Sequence, residues 1–129
     1  MTLGLQKILY VEDDDDIRIV TVMALELIGD FEVEAHSSGR SAIERAEAFG
    51  PDLILLDVMM PEIDGPATLA GLRAKASLAD VPAVFFTAKA QPEEVARLRS
   101  LGAKDVLAKP FDPQELPDAL RRIWIAARG

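Results

Sequence analysis

Leu53-Ile54-Leu55-Leu56-Asp57 is the stretch on which the fold turns. Four apolar residues in a row read as a strand buried on both faces, as in a parallel sheet covered by helices on each side. A single carboxylate follows at the carboxyl end, which in an open parallel sheet is the edge where ligands bind. Asp57 therefore stands where chemistry is expected, with a turn former or helix cap as the competing reading.

Outward from this strand, apolar runs alternate with stretches of helical spacing. Upstream, Lys7-Ile8-Leu9-Tyr10-Val11 is a β-rich run that ends in Glu12-Asp13-Asp14-Asp15-Asp16. Ile17, Val20, Ala24, Leu27 and Ile28 then recur as the apolar stripe of a helix stopped by Gly29. Asp14 to Asp16 suit that helix start, where carboxylates cap free N–H groups and face the positive dipole end. Glu12 and Asp13 lie at the strand end, and capping does not explain them. Phe31 to His36 alternates like a half-exposed edge strand, and a cap at Ser37 or Ser38 opens a helix to about Phe49.

Downstream, the pattern predicts a helix over about Pro66 to Lys75 and a strand from Ala83 to Phe86, ending at Thr87. A helix over about Pro92 to Leu101 follows, with Gly102 at its C-cap, then a strand from Asp105 to Ala108 ending at Lys109. The last helix opens at Asp112-Pro113-Gln114-Glu115, a cap with a proline in the first helical position and a capping-box glutamate. Pro117 falls in its fifth position, so a bend or loosened turn is expected there. Five strands alternating with five helices imply a doubly wound α/β fold, a parallel sheet of order 2-1-3-4-5 with helices on both faces.

With 129 residues the chain is long enough for one domain, residues 1–129, and too short for two. Hydrophobic residues make up 50% and charged residues 28%, which sets disorder aside. Cysteine is absent, which removes disulfides, thiolate metal sites and cysteine nucleophiles and agrees with a cytoplasmic setting. Met1 to Lys7 lacks a basic region and a long apolar run, so no signal peptide is read there. No apolar stretch approaches the ~20 residues that cross a bilayer, and membrane insertion is not expected. The net charge of −8 and pI near 4.6 repel phosphate backbones, so direct binding of nucleic acid is not expected either.

Four carboxyl strand ends carry polar groups: Glu12 and Asp13, then Asp57, Thr87 and Lys109. In the order 2-1-3-4-5 these strands are neighbours, so the five side chains can meet in one pocket. Each has a bland reading alone, as a cap, a turn former or a solvated charge; their coincidence at strand ends does not. Two like charges ~5 Å apart repel by roughly 3 kcal/mol at an effective dielectric near ~20, which calls for a cation beyond Lys109. Oxygen donors favour Mg²⁺, and a chain with no cysteine and one histidine argues against zinc. A metal held at Glu12, Asp13 and Asp57 can bridge to a phosphoryl oxygen while Thr87 and Lys109 hold the others. Asp57 is then the candidate nucleophile, forming an aspartyl phosphate.

Glu12-Asp13, Leu56-Asp57-Val58-Met59-Met60-Pro61 with Asp64-Gly65, Phe86-Thr87-Ala88 and Ala108-Lys109-Pro110-Phe111, in this order and spacing, resemble the receiver domain of two-component response regulators, chemotaxis regulators among them. The resemblance covers essentially the whole chain and implies a flavodoxin-like fold. It implies a phosphorelay signalling module that assists its own phosphorylation and dephosphorylation, rather than an enzyme acting on a separate substrate. Asp57 would accept a phosphoryl group from a sensor histidine kinase or a histidine phosphotransfer protein. Asp13 and Asp57 would bind Mg²⁺ directly, Glu12 mainly through water and Met59 through its backbone carbonyl. Thr87 would be the switch hydroxyl and Lys109 the phosphate-pairing lysine, with a cis bond before Pro110.

Val106 departs from this pattern. Receivers often carry Tyr or Phe three positions before the lysine, and a valine has no ring to turn on phosphorylation. Met59 and Lys89, two residues beyond Asp57 and Thr87, read as surface side chains or as flanks of the path of hydrolytic water. On the last helix Leu116, Leu120, Ile123 and Ala127 form the buried stripe, with Trp124 in the core and Ile125 exposed. The face of the last two helices is the expected surface for a downstream protein target or a self-dimer, and His36 reads as structural. Two other functions stand beside the phosphoacceptor: a receiver that docks or dimerises without phosphorylation, and a Mg-dependent aspartyl-phosphate phosphatase. The phosphatase usually needs a second acid where Met59 stands.

Overall fold

The computed structural model describes residues 4–128, so Met1–Leu3, part of the start read above, and Gly129 lie outside it. Five strands, β1 (Lys7–Val11), β2 (Glu32–His36), β3 (Leu53–Asp57), β4 (Ala83–Thr87) and β5 (Asp105–Ala108), form one sheet of order β2-β1-β3-β4-β5. Every pairing is parallel. The helices are α1 (Asp15–Met23), α2 (Gly39–Phe49), α3 (Gly65–Arg73), α4 (Pro92–Ser100) and α5 (Leu116–Arg128). The expected sheet order is the observed one, and β3 is buried along its whole length.

Pleating sends alternate residues to opposite faces, and each face has its own core. Leu9, Val11, Ile54, Leu56 and Phe85 pack against α2, α3 and α4, through Ala46, Leu72 and Leu98 among others. Ile8, Tyr10, Leu53, Leu55 and Phe86 pack instead against Leu25 beyond α1 and Leu116, Leu120 and Trp124 of α5. Asp14, Ser38 and Asp64 cap α1, α2 and α3 with their side chains. Gly65 opens α3 against the end of β3, where a Cβ atom would fall 2.4 Å from the Asp57 carbonyl oxygen.

Two expectations about helices are corrected. α1 does not run regularly to Ile28: after Met23 the chain widens into a π turn, Ala24–Ile28, closed by Gly29 N–H to the Ala24 carbonyl at 3.1 Å. The row through Thr21, Ala24 and Leu25 faces the sheet, so most of the stripe read as apolar periodicity points outward. Val20, Leu27 and Ile28 are exposed together with Met23, Leu27 at 77%. The periodicity misled because the inward row carries a threonine, while its neighbour is almost wholly apolar. At the other end, α5 begins at Leu116 rather than near Asp112, which leaves Pro117 in the first turn, where its missing N–H costs nothing. Residues 113–115 form a separate turn, with Asp112 accepting from Gln114 N–H at 2.9 Å.

α5 is fastened at two points along its length. Trp124 Nε1 donates to the Asp52 carbonyl at 3.2 Å, and Arg121 donates to the Gly29 carbonyl while lying over the Phe31 ring.

Candidate functional site

The register staggers the strand ends. Val11 pairs with Leu56, Asp57 with Phe86 and Thr87 with Ala108, so Glu12, Asp57, Thr87 and Lys109 follow one another along the carboxyl edge. Carboxylate oxygens of Glu12, Asp13 and Asp57 all lie within 4.8 Å of one another. Lys109 Nζ reaches into the group, donating to Glu12 Oε1 at 2.7 Å and Asp57 Oδ1 at 3.0 Å. The Lys109–Pro110 bond is cis.

Burial decides the electrostatics. Glu12 and Asp57 are almost wholly buried, whereas Asp13 is exposed. Burial, with the neighbouring Glu12 carboxylate, pushes the Asp57 carboxyl up to about 6 against the pull of Lys109. Burial alone would lower the Lys109 ammonium, but hydrogen bonds to Glu12 and Asp57 outweigh it and hold the ammonium above its ordinary value. Three carboxylates against one ammonium leave negative charge uncompensated. All-oxygen donors of this kind, one of them open to solvent, fit a hard divalent cation such as Mg²⁺ that retains waters.

Thr87 is buried at the same edge, but its hydroxyl is outside this bonded group and accepts from Lys89 N–H at 3.0 Å. Alternation explains this. Phe85 packs on the α2–α4 side, so Thr87 belongs to that row, whereas Glu12, Asp57 and Lys109 continue the row facing α1 and α5. Val106 pairs with Phe85 and packs on the Thr87 side of the sheet. The Met59 and Lys89 side chains are exposed. His36 ends β2 beside Glu12, whose N–H its carbonyl accepts at 3.0 Å, but its imidazole is engaged elsewhere, with Ser41 Oγ at 2.9 Å and Glu34 Oε2 at 2.8 Å. Trp124 is in the core and Ile125 is 64% exposed.

Sequence reading missed three residues that shape the pocket. Arg18 of α1 donates to the Glu12 carbonyl at 2.8 Å. Tyr10, wholly buried, directs its phenol at Glu12 Oε1 from 3.5 Å, and the buried Thr21 hydroxyl lies beside it. A signal for Tyr10 was present, since residues two apart on a strand share a face. Between α1 and the loop after β5, a groove of about 460 Å³ lined by Ile17, Val20, Lys109, Phe111 and Pro113 opens beside the pocket.

Comparison with known proteins places these features in context. Residues 8–121 match the family described as response regulator receiver domain. The transcriptional regulatory protein CseB of Streptomyces coelicolor is 39% identical over 116 residues, which are 90% of this chain and 48% of that protein. The alkaline phosphatase synthesis transcriptional regulatory protein PhoP of Bacillus subtilis is 37% identical over 126 residues, 95% of this chain and 51% of that one. The chain thus spans about half the length of the curated relatives it matches. Among solved structures, the Vibrio cholerae chemotaxis protein CheY4 superposes with a TM-score of 0.86 at 31% identity, covering 93% of this chain and 99% of that one. The BeF3-activated DrrB receiver domain gives 0.78 at 25%, covering 92% and 97%.

Proposed function

The chain belongs to the response regulator receiver domain family, and from that premise we propose that Asp57 is its phosphoacceptor, served by Glu12, Asp13, Met59, Thr87 and Lys109. A phosphohistidine protein, either a sensor histidine kinase or a histidine phosphotransfer protein, presents the phosphoryl group at the carboxyl edge. An Asp57 oxygen attacks phosphorus as the P–N bond breaks, and the bonding pair leaves with the imidazole nitrogen. Lys109 turns from its carboxylates to one phosphoryl oxygen, and Thr87 donates its hydroxyl to another. Mg²⁺ held by Glu12, Asp13, Asp57 and the Met59 carbonyl would supply the charge neutralisation that phosphoryl transfer needs.

The observation that carries this reading is Lys109 bonded to two buried carboxylates with a third within reach. The test is incubation with acetyl phosphate and Mg²⁺ followed by intact mass. Wild type is expected to gain one phosphoryl group, and Asp57→Ala none. An unmodified wild type would favour phosphorylation-independent docking, the reading to which Val106 lends support. Steady turnover of unrelated phosphomonoesters would favour a phosphatase.

The groove between α1 and the loop after β5 supports the donor's approach from that side, since it is largely apolar and adjoins Lys109. For output, the exposed Ile125 supports a protein target or self-dimer on the face of the last two helices. No described helix is long and apolar enough to cross a membrane. The proposed setting is the cytoplasm, where ATP charges phosphohistidine donors.

A further inference from the structure

Lys109 holds Glu12 Oε1 at 2.7 Å, and the Tyr10 phenol is directed at the same atom from 3.5 Å. A well-made hydroxyl hydrogen bond closes at ~2.7–2.8 Å, so Tyr10 stands off from an oxygen that is already served. The Thr21 hydroxyl is fully buried and lies within reach of the phenol, but it closes no hydrogen bond of ordinary geometry with it or with any other described residue. Buried polar atoms are nearly always paired, and here two neighbouring hydroxyls retain unused bonding capacity. Packing alone does not need either oxygen, because Phe and Val would fill nearly the same space.

Phosphorylation changes what this pair faces. Once Lys109 turns to the phosphoryl group, Glu12 Oε1 loses its closest donor while remaining buried; Mg²⁺ would offset the charge of the carboxylate and Asp14 N–H serves the other oxygen, Oε2, at 3.3 Å, so Oε1 is the atom left to pair. We propose that Tyr10 is a positioning residue that takes over Glu12 Oε1 when Lys109 leaves it, with Thr21 steadying the phenol from α1. The inference rests on the phosphoacceptor reading for the event that moves Lys109. It gives α1 a direct connection to the state of Asp57, on the opposite side of the sheet from Thr87 and Val106.

Tyr10 is the chain's only tyrosine, so isotopic labelling of the ring carbon that bears its oxygen yields one resonance. With Mg²⁺ present, beryllofluoride is expected to shift that resonance in wild type. Lys109→Ala is expected to shift it in the same direction without beryllofluoride, because the substitution itself vacates Glu12 Oε1. If Lys109→Ala does not fold, Lys109→Met, which fills the space without a donor, provides the same comparison. Tyr10→Phe removes one oxygen, and is expected to fold as wild type but bind beryllofluoride about three- to tenfold more weakly. Thr21→Val should show a smaller loss, and Thr21→Ser should restore wild-type binding. A wild type that neither binds beryllofluoride nor accepts a phosphoryl group overturns the phosphoacceptor reading; the lysine variant then decides for Tyr10, and an unmoved resonance there overturns the hand-over. A wild type that binds beryllofluoride with the Tyr10 resonance unmoved, and Tyr10→Phe binding as tightly, overturns the hand-over while the phosphoacceptor reading stands.

Discussion

Asp57 is a carboxylate that its surroundings only partly welcome. Its pKa of about 6 stands above the ordinary 3.8, so between those values the folded chain holds more proton than the unfolded one. Stability from this group is therefore greatest at low pH and falls as pH rises toward 6 and beyond. Asp57→Asn cannot ionise, and without divalent cations it is expected to be more stable than wild type at pH 7.5 by on the order of 2 kcal/mol. The difference should shrink toward pH 4, as read by urea denaturation across that range. Equal stabilities at pH 7.5 would show that Lys109 compensates the charge in full. At this scale Glu12, Asp57, Thr87 and Lys109 stand out in the sequence as candidates because each is a polar residue directly after an apolar run, with Asp13 next to Glu12. Tyr10 and Thr21 do not, because a tyrosine inside a β-rich run and a threonine inside a helix read as packing.

α1 shows what periodicity can and cannot settle at the scale of an element. The spacing correctly indicates a helix after Asp14, but two adjacent rows are nearly equal in apolar content, and only tertiary packing chooses between them. The outward row leaves Val20, Met23, Leu27 and Ile28 in solvent, running from the groove beside Lys109 at Val20 toward the amino edge of the sheet at Ile28. Val20→Ser with Leu27→Ser is expected to slow transfer from a phosphohistidine protein that charges wild type by about tenfold or more, through weakened docking. Uptake from acetyl phosphate should be unchanged, and equal slowing with both donors would refute a docking role. Helix ends are read less securely than helices themselves: Asp112 does cap a turn, yet Pro117 moves the regular start of α5 to Leu116. At α3 the tolerance is steric. Gly65→Ala would press a methyl group on the Asp57 carbonyl, and is expected to cost about 1–3 kcal/mol in urea denaturation.

For the molecule as a whole, alternation of strand and helix narrows the sheet to a few doubly wound orders, of which 2-1-3-4-5 is one, because parallel strands need crossovers and crossovers have one hand. That is why the topology was readable from sequence, whereas the split of the edge groups between two faces required the register. A cation that binds only the folded chain stabilises all of it. Mg²⁺ at about ten times its Kd should add about 1.4 kcal/mol and raise Tm in wild type. Asp57→Asn should lose most of that increment; an equal rise in both would place the cation elsewhere.

The division of the strand ends between two faces has a further consequence. Glu12, Asp57 and Lys109 lie toward α1 and α5, while Thr87 continues the row toward α4. On the proposed reading the sheet is thus a partition, with a mark written in one room and read in another, and Thr87 would stand in the doorway at its rim. Writing and reading become separable properties. Thr87→Val is expected to accept phosphate from acetyl phosphate, more slowly, while hydrogen exchange in α4 no longer responds to it. An α4 that responds as in wild type would mean that the partition is crossed elsewhere.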